Sequence, residues 1–391
     1  MITALCARVA QADQKLVGLH SEEEGSGERK KVHASGKMRQ SVPQSTPCRD
    51  SDAATRMLNS QPFVMRSLQL YLPRSLRVDA NDARLLDSAP SLRRLLSRAR
   101  VSRLAGQDFD SSLLQSFGVK RQHDWPVAPF TWLADGGDPA GRYWLRADPV
   151  HLRAERDVLV LVDTFHIALD PESANKFIAT LNAHFESDDL VFHAPVPERW
   201  YVGLRDVPAV TTHPLSFAAG RSVSPLLPSG KDALAWHGRF NEIQMLFHEH
   251  PVNLERETVG QPTINSVWFW GGGTLPPVDR AFAGVWAEDP LARGLATAAR
   301  ISCASSPSEG SEWLSESGHG AHIVMLATQT TSGPALPFCE KRWFVPLLQA
   351  LKERRLSMLR LLAMSGDDLL RYDVAARDLW KFWRRTPAEV H

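Results

Sequence analysis

The stretch from His248 to Pro277 concentrates side chains able to do chemistry. It carries His250, Asn253, Arg256 and Asn265, then an apolar run ending in Trp270 and the glycines Gly271, Gly272 and Gly273. These types suit the holding of a small anion. A guanidinium pairs bidentately with carboxylate or phosphate. Carboxamides add neutral donors, and a protonated imidazole adds a charged one. Glycines behind a buried strand let main-chain N–H groups approach a ligand closely. The same residues also suit a plainer role as a sharp glycine turn, turn-capping asparagines and a surface arginine. Spacing excludes three other chemistries. A zinc-protease helix needs two histidines four apart, whereas His248 and His250 are two apart and Pro251 follows. A dinucleotide fingerprint needs a later glycine and a helix, and Thr274-Leu275-Pro276 supplies neither. A P-loop needs Gly-Lys-Ser or Gly-Lys-Thr, which the run lacks.

Further candidates lie outside this stretch. Arg146 and His151, beside Arg153, form a second polar group, with a structural role equally open. His166, His193 and His213 read as loop histidines, because no second metal ligand stands at helical or hairpin spacing. Cys303 and Cys339 have no nearby histidine in sequence to activate a thiolate. The terminal Trp380-Lys-Phe-Trp-Arg-Arg385 reads as a helix packing its aromatics inward, with a partner-binding patch as the alternative.

The elements that must position these groups follow an α/β pattern. Strands are expected at Leu68–Leu72, Val158–Val162 (covered on both faces), Leu190–Phe192, Tyr201–Leu204, Ile264–Trp270, His322–Ala327 and Met358–Ala363. Helices are expected over Asn81–Leu104, from Asp170 through Phe185, from Ser229 to Pro251, over Asp289–Arg300 and over Pro337–Arg354. Val158–Val162, the following helix and Leu190–Phe192 suggest a strand–helix–strand unit. Gly118–Gly141 reads as loop, and the glycine run as the end of its strand. Residues 1–64 are poor in large apolar side chains and are expected to be a disordered leader. A start site placed too far upstream of Met57 or Met65 would produce the same pattern. The fold is then expected over 65–391.

Charge narrows the partners. Lys and Arg number 45 against 44 Asp and Glu, a balance that argues against nucleic acid or an anionic membrane as the main partner. No apolar run reaches the length of a membrane span. Four scattered cysteines without C-x-x-C fit neither a disulfide framework nor a cysteine zinc site, and a cytoplasmic setting is expected.

His250-Pro-Val-Asn253, Arg256, Gly260, Pro262, Asn265, Trp270-Gly271, Gly273 and Pro276 together resemble the archaeal-type cofactor-independent phosphoglycerate mutases of the alkaline phosphatase superfamily. Thr211-Thr212, Gly220, Leu227-Pro-Ser-Gly230 and Val191-Phe-His-Ala-Pro195 through Arg199 extend the similarity to about 148–277. That region corresponds to the part of those enzymes that grips the phosphoglycerate. A longer resemblance, about 66–385, is to the bacterial RpfE family of regulatory proteins. It rests on Arg146-Ala-Asp-Pro-Val-His-Leu-Arg153, Asn241-Glu-Ile-Gln-Met245, Trp268-Phe-Trp-Gly-Gly-Gly273, Ala292-Arg-Gly-Leu295 and Trp343-Phe-Val-Pro-Leu-Leu348.

The resemblance implies a central, mostly parallel sheet flanked by helices, in degenerate mutase-like form. It also implies a ligand site at Arg199, His250, Asn253, Arg256, Asn265, Trp270, Gly271 and Gly273. The catalytic half is not matched. Where the mutases end their first strand in a metal-binding Asp-Gly, this chain has Pro73-Arg74 and no Thr-Pro-Leu nucleophile segment. Near the C-terminus only Gly318-His-Gly-Ala-His322 and Asp367-Asp368 offer ligands. The expectation is therefore an RpfE-like regulatory or ligand-sensing pseudoenzyme. It would bind a small anionic or phosphorylated metabolite and use neither metal nor cofactor. The alternative is an active mutase with divergent ligands for Mn or Zn.

Overall fold

A computed structural model describes residues 65–73, 76, 87–162, 168–326 and 336–380. The expected leader, His166 and the terminal Trp383, Arg384 and Arg385 fall outside these residues. The first described element is strand β1 (Ser67–Tyr71), buried on both faces between two parallel neighbours. Helix α1 (Pro90–Arg98) turns Leu92, Leu95 and Leu96 inward. The carboxylate of Glu340 accepts from Ser91 N (2.7 Å) and Leu92 N (3.0 Å), so a distant side chain caps this helix. The expected helix over Asn81–Leu104 ends here, because strand β2 (Arg100–Leu104) takes its last residues. Helices α2 (Phe109–Ser116) and α3 (Val127–Ala134) follow. The second corrects the loop expected over Gly118–Gly141. Pro129 lies in its first turn, where no intrahelical N–H is lost, and Ala128 and Phe130 are buried.

The chain then leaves to build a second sheet. Its strands are β3 (Tyr143–Glu155), β4 (Val158–Val162), β5 (Val191–Val196) and β6 (Arg199–Leu204), with helix α4 (Pro171–His184) between β4 and β5. Asp170 caps α4 from Ser173 N at 2.9 Å, and Phe177, Ile178 and Leu181 recur on its buried face. The short pair β7 (Val210–Thr211) and β8 (Ser229–Gly230) flanks helix α5 (Leu215–Ala218). Helix α6 (Ala233–His248) starts later than Ser229 because that residue is spent on β8. Pro251 ends α6 only by opening another helix, α7 (Pro251–Thr258), at its first position. Strand β9 (Ser266–Gly273) closes this part. All the pairings are antiparallel, in the order β4-β3-β6-β5, with β9 also on β3. Two expectations are corrected. Val158–Val162 is a half-covered edge strand with Val158 exposed, and β4, α4 and β5 form no parallel crossover.

The chain returns with β10 (Gly284–Trp286), α8 (Pro290–Ala299), β11 (Ser302–Ala304), α9 (Gly310–Glu316) and β12 (Ala321–Met325). Helix α10 (Leu336–Cys339) runs through one π-helical stretch, Glu340–Phe344, into α11 (Val345–Lys352). Strands β13 (Met358–Ser365) and β14 (Asp368–Ala375) form a hairpin. The central sheet runs β11-β10-β12-β1-β13-β14-β2. Its first five strands are parallel, and β14 pairs antiparallel with both β13 and β2. This is an α/β fold with a central, mostly parallel sheet flanked by helices. One hydrophobic core packs on the central sheet and another packs α4, α6 and α7 on the second sheet. Among the described residues no helix is long and apolar enough to cross a membrane.

Candidate functional site

A cleft of about 510 Å³ opens where the second sheet's segments meet the C-terminal edge of the central sheet. Ligands of α/β sheets gather at this edge. Its walls are the loop after β2 into α2, the segment entering α3, the β7–α5 turn, the end of β9 and the β13–β14 turn. Trp125, Phe217 and Trp270 give it aromatic surface.

Asp124 organises one wall. Its buried carboxylate accepts from Thr212 N at 2.9 Å and from the Thr212 hydroxyl. Burial pushes the Asp124 carboxyl above the usual range, against the opposing pull of Thr212 and Arg121. Arg121 stands 3.8 Å from Asp124 and is half exposed. The neighbouring His213 accepts the Trp268 indole N–H on its carbonyl at 2.8 Å.

Trp270 and Gly271 reach the cleft. The glycine run does not end β9, as sequence suggests, but continues it through a bulge. β9 spends one residue more than β3 between the pairs Arg146–Trp270 and Trp144–Gly273. Gly271 sits at φ +68°, and a Cβ there would come within 3.0 Å of Val127. A Cβ on Gly273 would come within 2.4 Å of Pro126. The glycines thus let β9 pack tightly against the start of α3.

Behind Trp270 lies a buried pair. Asp148 accepts from Arg146 Nη2 (2.6 Å), Arg146 Nε (3.1 Å) and the Trp270 indole N–H (2.7 Å). The Arg146 guanidinium also lies over the Tyr201 and Trp270 rings, at 5.3 and 5.1 Å. Arg199 is matched in the same way. Its Nε and Nη2 donate to Asp135 at 2.6 Å each, and the Tyr201 hydroxyl joins them at 2.6 Å. Burial opposes the Arg199 charge, but the hydrogen bonds and charges of Asp135 and Tyr201 together outweigh it and raise the pKa.

The remaining predicted residues lie away from the cleft, with their polar atoms on protein partners. His250 caps α7: Nδ1 accepts from Val252 N at 3.3 Å, so Nε2 carries the proton and donates to Thr180 Oγ1 at 3.1 Å. Its ring stacks on Phe177 at 4.1 Å, and burial lowers its pKa. Asn253 donates to the carbonyls of Phe247 and Ile264 (2.7 Å each) and accepts from Ile264 N at 2.9 Å. Arg256 donates to Pro262 O (2.8 Å) and Ala168 O (2.7 Å). Asn265 accepts from Leu152 N (2.7 Å) and donates to Leu152 O (2.8 Å), extending the β3 ladder. His151 Nδ1 donates to Thr263 O at 2.7 Å. Sequence reasoning passed over Arg121, Asp124 and Arg221. Asp124 and Arg221 meet partners far along the chain, the Arg121–Asp124 pair lies in a loop, and none carries a periodic signal.

Whether these residues fit a two-metal phosphoryl-transfer centre depends on free donors at the cleft. Asp108 caps α2 from Ser111 N at 2.9 Å. Asp124 is held by Thr212, and Asp367 by Arg221 Nη2 at 2.6 Å. Asp368 accepts from Arg103 Nε (2.6 Å) and Gly106 N (2.9 Å). His322 lies at the opposite edge of the sheet, with Nε2 on Gly318 O at 3.0 Å. Among the described residues no three His, Cys, Asp or Glu side chains converge as a metal site. The described donor set does not fit such a centre.

Comparison with known proteins places the chain near one group of enzymes. A 2,3-bisphosphoglycerate-independent phosphoglycerate mutase of Methanosarcina barkeri is 28% identical over 110 residues. The corresponding mutase 2 of Methanothermobacter thermautotrophicus is 30% identical over 115 residues. The chain is weakly homologous to the cofactor-independent phosphoglycerate mutases. Each alignment spans 28% of this chain and 28% of the relative. No protein-family profile matches the chain. Among solved structures, a cofactor-independent phosphoglycerate mutase from Thermoplasma acidophilum aligns with TM-score 0.40 and 17% identity, covering 80% of this chain and 90% of that one. A protein of Pyrococcus horikoshii aligns with TM-score 0.45 and 14% identity, covering 80% and 88%.

Proposed function

We propose that the chain is a non-catalytic relative of the phosphoglycerate mutases, an RpfE-like regulatory or ligand-sensing protein that binds a small anionic metabolite in the cleft. One observation carries this reading. Among the described residues, carboxylates at the C-terminal edge of the central sheet are spent on protein donors, Asp108 on its own helix, Asp124 on Thr212 and Asp368 on Arg103 and Gly106. A two-metal phosphoryl transfer needs such groups free to bind cations and a hydroxyl poised as nucleophile. What the site retains is a binding surface with aromatic walls, main-chain groups beside Gly271 and half-exposed cations at the rim.

The test is metal analysis of the purified protein, together with conversion of 3-phosphoglycerate to 2-phosphoglycerate in added Mn, Mg or Zn. The expected result is no turnover, with the unfolding temperature raised by 3-phosphoglycerate. Trp125 and Trp270 line the cleft, so their emission reports the same binding. Turnover with stoichiometric metal overturns the proposal.

A further inference from the structure

Binding an anion requires a cation whose present partner can be exchanged, and the arginines of the molecule differ in this respect. Arg146, Arg199 and Arg256 are tied to Asp148, Asp135 and main-chain carbonyls. Arg221 is placed differently. Its main chain is fixed, N–H on Ala218 O at 3.0 Å and carbonyl on Leu161 N at 3.2 Å. Its guanidinium lies 4.0 Å over the Phe217 ring and forms a two-pronged pair with Asp367 (Nη2–Oδ1 2.6 Å, Nη1–Oδ2 3.3 Å). Phe217 and Asp367 both line the cleft, one from helix α5 and the other from the β13–β14 turn. The pair therefore spans the rim. Its side chains are 44% and 55% exposed, and an ion pair in water is easily exchanged.

We propose that Asp367 is an internal stand-in for the ligand's anionic group, and that an entering carboxylate or phosphate displaces it and takes over Arg221. This rests on reading the cleft as the ligand site. The geometry suits exchange. A guanidinium meets carboxylate and phosphate through the same two-pronged contact. Phe217 keeps its plane oriented while the partner changes. The neighbouring Asp368 anchors the turn on Arg103 and Gly106 N, so releasing Asp367 need not unfold it. Exchange also unties the β13–β14 turn from the second sheet's side of the rim, which gives ligand binding a structural readout.

The experiment titrates the full chain, Arg221→Ala and Asp367→Asn with inorganic phosphate, glycerate and 3-phosphoglycerate, by calorimetry and tryptophan emission. The phosphate and glycerate arms show which anionic group Arg221 takes. Arg221→Ala is expected to weaken binding by about tenfold or more, as one two-pronged charged contact is lost. Asp367→Asn is expected to tighten binding by roughly threefold to tenfold, because the competing carboxylate is gone. Binding that is unchanged in Arg221→Ala, or not tightened in Asp367→Asn, overturns the exchange and leaves the cleft as the site. No binding by either wild type or Asp367→Asn overturns both.

Discussion

Two polar regions of the molecule spend their hydrogen bonds in different ways. Around α7, His250, Asn253, Arg256 and Asn265 bond almost wholly to main chain, tying α6, α7 and the approach to β9 to one another and to β3. Around the cleft, half-exposed Arg221 pairs with exposed Asp367, and half-exposed Arg121 stands 3.8 Å from buried Asp124. The first region behaves as a clasp, whose loss exposes unsatisfied main-chain groups. The second gives up partners at little cost. A dense run of polar residues can therefore mark where the backbone must be held, while a ligand is met by charges that look ordinary in sequence.

Substitutions can separate the two. Arg256→Ala is expected to cost about 3–5 kcal/mol of stability, as two charged hydrogen bonds go and the carbonyls of Ala168 and Pro262 lose a donor. Urea unfolding measures this, and a cost near zero would dissolve the contrast. Asn253→Ala removes three buried hydrogen bonds and should cost about 2–4 kcal/mol. Trp270→Phe keeps a ring beneath Arg146 but loses the bond to Asp148, for about 1–2 kcal/mol. Arg221→Ala should change stability by no more than about 0.5 kcal/mol, since its ion pair is exposed.

The clasp also predicts a pH dependence. Burial lowers the pKa of His250, and those of His193 and His322 shift the same way. The unfolded chain then binds protons more readily than the folded one. Stability is fully present above the unfolded value of about 6.5 and is lost as pH falls below it. Urea midpoints at pH 7.5 and 5.5 should show the decline, and His250→Gln should make it shallower.

Parts of this architecture are legible in the residues alone. Asp170-Pro171 with Phe177, Ile178 and Leu181 announces its helix, because cap and stripe are local. The buried run of β1 is equally plain. Other elements depend on distant partners. Arg100–Leu104 continues a helical pattern and becomes a strand only because β14 offers it a ladder. That strand is itself hard to see, since its polar residues alternate with buried ones across the Gly366 turn. At the site, Trp270 and Gly271 line the cleft from within β9, before its last residues. The pairing of Asp124 with Thr212 joins residues 88 apart, and Arg221 meets a carboxylate 146 residues away. No window of sequence shows either contact.

The position of β1 has a consequence for how the protein is made. Its two neighbours, β12 and β13, leave the ribosome some 250 and 290 residues later, and Glu340 must appear before α1 has its cap. The second sheet, by contrast, is built from one unbroken stretch between β3 and β9. A nascent chain can close that sheet while the central one still waits in the middle for its flanks, its apolar first strand exposed throughout. The long wait favours slow completion and a need for protection during synthesis.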